Sequence, residues 1–428
     1  MYNDNPINML TVKGTITLWL FMYLVLFTAF LFPGQGEYGF YSVEWSFFFW
    51  AAILIYGTLL VVLKKGIFSF RTDPVLILIA VFFLMVLLSI VDAPNKFKGI
   101  LYSGQFIPYF FLMYFTISIV NSEKKLIKVV DMMTFLALIF CLTAIAVSIV
   151  TGRREGLNDF LLNTFNIGVL KVISFVTFPF SILLSRILNE KVTPFRLITF
   201  LAVAIAVIFT GSRGNYLVWA LIIFLSVLKA DSFKKKIIIS SIAGVIIIIG
   251  FLTMDYVIQR IQLLVVTSSE EFNRDIIAFS RLFTAKVALN LMIHHPFNGI
   301  GIGNLSYFMK DAISQTPGIP RAILQYWEQN QLYETQTTPL KLGAEIGLGG
   351  FIFFFAFYYY LWNRIKKSYY ISPERIRVII DGIKIAIIAD FLHNFLDVSF
   401  YNYYSWFYYG IIIAVSRIVY EKKTNNST

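Results

Sequence analysis

The chain is built from apolar runs, each close to the ~20 residues that a helix needs to cross ~30 Å of hydrocarbon. About twelve runs are long enough, or nearly so, to span; they lie near 15–32, 45–63, 75–91, 101–120, 129–150, 165–185, 196–210, 214–229, 237–252, 339–362, 378–395 and 400–419. No other feature constrains the fold as much. In lipid every backbone N–H and C=O must be satisfied within its own element or a closed barrel, and runs of this length do so as helices. Composition agrees: 58% of the residues are apolar and 14% charged, against ~45–50% and ~25% in ordinary soluble domains. The expected fold class is therefore all-α, a polytopic transmembrane helix bundle. The first run could pass for a secretory signal, but "FPGQGEYGF" after it lacks a small-x-small cleavage site, so it reads as a retained signal anchor.

A net charge of +12 raises the question of nucleic acid, and its distribution gives a simpler answer. With the N-terminus inside and the segments alternating, the inside segments hold Lys13; Lys64, Lys65 and Arg71; Lys124, Lys125 and Lys128; Arg186, Lys191 and Arg196; Lys229, Lys234, Lys235 and Lys236; Arg364, Lys366, Lys367, Arg375 and Arg377; and Arg417, Lys422 and Lys423. The short outside loops hold only Lys96, Lys98, Arg153, Arg154 and Arg213. This bias in short loops sets orientation, so the excess charge is topogenic, no nucleic-acid partner is expected, and both termini are placed in the cytoplasm. The organisation that follows is an N-terminal bundle over 1–252, a large outer loop over 253–338, and C-terminal spans with a cytoplasmic tail over 339–428. The single Cys141 falls inside an apolar run, which suits a packing residue.

Within the outer loop, "HHPFNGIGIGN" (His294–Asn304) places two histidines beside three alternating glycines. The preceding "SRLFTAKVALNLMIH" predicts an amphipathic helix from Ser280 to about His294. At 100° per residue, Leu282, Ala285, Ala288, Leu289 and Met292 share one face, and such a helix should lie along the membrane surface. Lys286, Asn290 and His294 fall on the other side. Pro296 forces His295 out of the helix, and the glycines permit a sharp turn or a close backbone approach. A dinucleotide fingerprint would need a βαβ unit, which is absent from this sequence. Adjacent helical histidines point about 100° apart, which is poor for a metal. Two readings stay open: a cap that ends an interfacial helix, or a shaped border to a substrate groove.

Other segments carry polar residues where apolar ones would be cheaper. "FTGSRGNYL" sets Ser212, Arg213 and Gly214 at the expected start of a span on the outer side, where free N–H groups and the dipole favour phosphate; the alternative is an arginine snorkelling to headgroups. Lys171 sits within a run, either as a functional cation or as another snorkelling side chain. "DFLHNFLD" aligns Asp390, His393, Asn394 and Asp397 on one helix face, as a general base, a proton relay or an interhelical hydrogen-bonded clamp. In "QYWEQNQLYETQ", Trp327, Tyr326 and Tyr333 alternate with Glu328, Glu334 and Gln336, a mix suited to sugar rings or to any wet interfacial loop.

The order "GSRG" between two runs, then "LNLMIHHPFNGIGIGN" in a large outer loop, then "LGAEIGLGG" entering the next run resembles the O-antigen polymerase and O-antigen ligase superfamily, over roughly Phe209 to Leu361. The resemblance implies a GT-C-like bundle in the inner membrane. It also implies a glycosyltransferase that moves a glycan from a polyprenyl-diphosphate carrier to a hydroxyl on another glycan, without metal, cofactor or nucleotide sugar. The implied partners are polyprenyl-diphosphate-linked oligosaccharides, membrane lipid and a chain-length regulator protein. On this reading Arg213 and Arg281 stabilise the departing diphosphate, bidentate and charge-assisted, with Lys286, Lys171 and Ser212 beside them. Glu334 and His295 are candidates for the base, and Trp327, Tyr333, Gln336 and His393 for substrate contacts. The ligase branch carries a histidine at the position of Gln336, and a glutamine amide cannot act as a base at neutral pH. The expected activity is therefore repeat-unit polymerisation, with ligation as the alternative. A lipid-linked oligosaccharide flippase would show two halves of similar hydropathy, and the lone late outer loop has no counterpart in the first half.

Overall fold

The computed structural model describes residues 73–151, 169–210, 213–230, 232–237, 239–241, 244, 269–316, 335, 337–396 and 398–427. Its elements in chain order are α1 (Pro74–Val91), α2 (Lys96–Ile119), α3 (Glu123–Thr151), α4 (Val169–Asn189), α5 (Pro194–Thr210), α6 (Arg213–Lys229), α7 (Ser269–His294), α8 (Leu305–Gln315), α9 (Thr338–Ile346), α10 (Leu348–Ile371), α11 (Glu374–His393), a 3-10 turn (Ser399–Tyr401) and α12 (Tyr403–Ser427). All of these are helical, as the apolar runs require. The expected runs near 15–32 and 45–63, and all but a few residues of the run near 237–252, lie outside the described residues.

Local chemistry sets several boundaries. Asp73 accepts a hydrogen bond from Val75 N (3.1 Å), and Pro74 follows at the first helical position, so α1 starts where a cap and a fixed φ coincide. Asn95 does the same for α2, accepting from Lys98 N at 2.9 Å. The structure corrects one expected element: the run at 339–362 is not a single helix. It breaks at Gly347, whose φ of +84° separates α9 from α10.

By length and composition, three helices among the described residues can cross a membrane: Pro74–Val91, Lys96–Ile119 and Glu123–Ala146. α1 illustrates their construction. Val75, Ile79, Phe82, Val86 and Ile90 form one buried stripe, while Ile77, Leu84 and Leu87 on the other side are exposed, as hydrocarbon-facing residues are. The bundle core runs through tilted and edge-on aromatics, with Phe400 and Trp406 packed against Phe106 and Phe357. Two close crossings depend on missing side chains. A Cβ on Gly382 of α11 would meet Ile182 Cα of α4 at 2.5 Å, and one on Gly410 of α12 would meet Thr116 Cβ of α2 at 2.7 Å. Small residues at such crossings let dispersion act between backbones where lipid offers no hydrophobic drive. Cys141 is buried in the core, as expected of a packing residue.

The bundle has two chemically distinct ends. At one end Asp73 pairs with Arg364 (2.6 Å), Asp131 with Arg186 (2.6 Å), Lys229 with Asp381 (3.2 Å) and Glu123 with Lys422 (2.9 Å). Alternation places all of these segments on one side, and they meet. At the other end the α1–α2 turn meets the segment after α7: Asn298 donates to Asp92 (2.9 Å), and Asn95 N donates to Asn304 Oδ1 (3.1 Å). A second, smaller core lies at this end, made by Val287, Ala288 and Leu291 of α7, Leu305, Met309 and Ala312 of α8, and Ala344 of α9, with Ile300 between them.

Candidate functional site at the glycine-docked end

The phrase after α7 docks two helices and a turn onto one another. His295 N still bonds to Leu291 O (2.9 Å), and the helix then stops before Pro296, as expected. Beyond it the backbone runs against the end of α9. Ile300 N donates to Ala344 O (2.9 Å), Gly301 N to Glu345 O (3.0 Å), and Leu348 N returns to Pro296 O (2.7 Å). Ile302 N donates to Ser89 Oγ of α1 at 3.3 Å. Each of the three glycines has positive φ, +64°, +91° and +72° at Gly299, Gly301 and Gly303. The side-chain alternation has its own logic: Ile300 enters the small core and Ile302 the bundle core.

Space is as limiting as φ. A Cβ on Gly299 would lie 2.4 Å from Glu345 C, one on Gly301 2.3 Å from Ala93 Cβ, and one on Gly347 2.5 Å from Phe297 O. Thus "HHPFNGIGIGN" and "LGAEIGLGG" are two halves of one joint. Asn304, fully buried, fixes it to the α1–α2 turn, accepting from Asn95 N and donating to Asn95 O and Ile302 O. The N–H groups of Ile300, Gly301 and Ile302 are engaged by protein acceptors, so this loop is not a phosphate cradle of the glycine-nest kind.

Beneath the joint lie charges that sequence reading did not single out. Glu345 is 1% and Lys341 4% exposed. Tyr401 joins them: its hydroxyl donates to Glu345 Oε2 (3.1 Å), and the Lys341 ammonium sits 4.8 Å from its ring centroid. Buried charges need such partners. The available sign was their i,i+4 spacing within a phrase that was read as loop and span entry.

The stripe in α11 resolves into a clamp for two of its members. The Tyr358 and Tyr409 hydroxyls both donate to Asp390 Oδ2, the latter at 2.9 Å. Asn394 Nδ2 donates to Tyr358 Oη (2.9 Å), while its Oδ1 accepts from Thr338 Oγ1 (2.7 Å) and Phe400 N (2.9 Å). Four helices, α9 to α12, are thereby tied together. His393 lies in the same turn, 3% exposed; Asp397 lies outside the described residues.

The remaining predicted residues distribute as follows. Arg213 is the first residue of α6, as its sequence position implied; Lys171 lies in the first turn of α4 and Arg281 within α7, and for these three only the backbone is described. Lys286 and His295 are exposed, and the His295 ring lies 6.0 Å from that of Phe308. His294 Nδ1 lies 2.8 Å from Asn290 O. Ser212, Trp327, Tyr333, Glu334 and Gln336 lie outside the described residues. Among the described residues, no group of three His, Cys, Asp or Glu side chains could hold a metal ion.

The apolar face of α7 differs from expectation. Thr284, Val287, Ala288, Leu291 and Met292 are buried, whereas Leu282 and Leu289, expected on the same face as Ala288 and Met292, are exposed. The apolar sector is wider than one face, and the protein covers only part of it.

Residues 198–355 match the O-antigen ligase family. The match runs from within α5 to within α10 and includes Arg213 and both halves of the glycine joint. No curated protein matches the chain.

Proposed function

Because residues 198–355 carry an O-antigen ligase family domain, which supports a place in the O-antigen polymerase and ligase superfamily, we propose that the chain polymerises surface polysaccharide. In this reading it joins polyprenyl-diphosphate-linked oligosaccharide repeat units at the outer face of the inner membrane, both termini being cytoplasmic, within a GT-C-like bundle of about twelve spans. The observation that carries the reading is the joint itself. It ties the C-terminal end of α7, His295 included, to the end of α9, at the end of the bundle opposite the Asp73–Arg364 and Lys229–Asp381 pairs, which the positive-inside rule assigns to the cytoplasm; on this reading Arg281 and Lys286 act from α7 on that side.

The step is a displacement at the anomeric carbon. An acceptor hydroxyl oxygen forms the new C–O bond, and the bond from that carbon to the carrier's diphosphate oxygen breaks. The hydroxyl proton passes to a base, Glu334 or His295. Arg213 and Arg281, with Lys286, Lys171 and Ser212, neutralise the departing diphosphate. Trp327, Tyr333 and Gln336 contact sugar. His393, being sealed, would reach substrate only if the end of α11 opened. Metal is not required, and a chain-length regulator would act on the assembled enzyme. The second reading is transfer of the finished glycan to a separate acceptor, and the family match accommodates both; Gln336, in place of a basic histidine, favours polymerisation.

Reconstitution in vesicles with a polyprenyl-diphosphate oligosaccharide tests this. A ladder of carrier-linked products is expected. Transfer only to an added acceptor would make the protein a ligase, and carrier movement without new glycosidic bonds would make it a flippase. Arg213→Ala and Arg281→Ala should each lower the rate ~10²–10³-fold at unchanged abundance, with Lys restoring part of it because it lacks the planar fork. Full activity in both alanine variants would reduce these arginines to headgroup anchors.

A further inference from the structure

We infer that the outward side of α7, continued by Phe297, is seated in the outer-leaflet lipid of the membrane. On the helical wheel the protein-facing sector is centred on Thr284, Val287 and Leu291. The opposite sector carries Leu282, Leu289 and Ile293, all exposed, with Lys286 as its one cation. Asn290 and His294 form a separate polar edge. A helix in water places polar groups opposite its buried face; this one places leucine and isoleucine there. Phe297 follows, 90% exposed, at a turn held rigid by the joint rather than on a loose loop.

The apolar surface does not end with α7. Leu348 N is bonded to Pro296 O, so Phe297 abuts the start of α10, where Leu348 and Ile352 are exposed. Gly349, one residue on, rests against Met85 of α1, whose Leu84 and Leu88 are exposed on a helix apolar enough to span. The stripe on α7 is therefore continuous with a hydrocarbon-facing wall. Lipid, rather than a protein partner, is its natural cover. The apolar portion of α7, Leu282–His294, is too short to cross hydrocarbon. It has the apolar side and the flanking lysine of a helix lying in the interface. The inference needs the membrane setting of the proposed function but not the identity of the glycan transfer.

The test uses full-length Cys141→Ala protein carrying single cysteines, Phe297→Cys or Ile293→Cys, with His294→Cys as the polar-edge comparison. Each is labelled with an environment-sensitive nitrobenzoxadiazole dye and reconstituted in phosphatidylethanolamine–phosphatidylglycerol vesicles. At 297 and 293 the emission should shift to the blue and be quenched by nitroxide-labelled lipid but not by iodide; at 294 the pattern should reverse. Quenching by iodide at 297 and 293 would overturn the inference. So would protection from both quenchers, which would mean that another segment of this chain or a second protein covers the stripe. These readouts are independent of activity, so failure of the polymerase reading would leave them unchanged.

Discussion

Two devices hold the same end of this bundle together, and they work differently. The glycine joint relies on shape: backbone meets backbone, and the side chains that would have interfered are absent. The clamp around Asp390 relies on chemistry: hydroxyls, an amide and a carboxylate share protons across α9 to α12. A shape-based contact has no graded failure, since one added carbon must displace backbone. A hydrogen-bonded network loses one bond at a time, and its remaining members can pair again or recruit water.

The comparison breaks most visibly at Gly301. Alanine there would combine a φ of +91° with a Cβ 2.3 Å from Ala93 Cβ, and the backbone penalty alone is ~1–3 kcal/mol. Gly301→Ala should therefore lower the melting temperature of the detergent-solubilised protein strongly or prevent its accumulation. Gly104→Ala in α2, where nothing lies within 4 Å, should raise stability by ~0.5–1 kcal/mol. Equal behaviour of the two variants would show that the joint is loose.

A smaller loss is expected at the clamp. Asp390→Ala leaves the buried Tyr358 and Tyr409 hydroxyls without their common acceptor, a cost of ~1–3 kcal/mol. Asp390→Asn keeps an acceptor oxygen and should retain part of that stability. Thermal unfolding of both variants sharpens the contrast: if Asn were as damaging as Ala, the clamp would also be all-or-none.

The smallest effect belongs to the opposite end. Burial alone would raise the Asp73 carboxyl, but hydrogen bonds from Arg364 and Tyr360 hold it below its ordinary value. A group with a depressed folded pKa contributes stability that is present above the unfolded value, near 3.8, and lost as pH falls through the folded one. Acid below about pH 4 should therefore destabilise the protein, and Asp73→Asn should flatten that part of the stability profile. An unchanged slope in the variant would remove Asp73 as its source.

How much could be read beforehand follows from the range of the interactions. The apolar runs behind α1, α2 and α3, the stop at Pro296, the start of α6 at Arg213 and the shared face of Asp390 and Asn394 are local or periodic, and these were legible. The partners of the glycines were not: Ala344, Glu345 and Ala93 are distant in sequence, and a glycine carries no mark of what approaches it. The division of α7 was hidden for a related reason. The residues expected to share one apolar face part company, since Ala288 and Met292 meet protein and Leu282 and Leu289 do not. Lys341 and Glu345 were overlooked because two charges beside an apolar run read as solvated, and the residue that meets both, Tyr401, arrives from beyond α11.

The break at Gly347 has a consequence for how α9 ends. A helix leaves its last carbonyls without intrahelical donors, and in α9 two of these, on Ala344 and Glu345, are met by N–H groups of Ile300 and Gly301. The C-terminal cap of this helix is thus supplied in trans, by a segment on the far side of α8. Neither phrase is complete alone. The last turn of α9 is satisfied only once the chain between them has closed, so the two should be gained, lost and transplanted as one unit.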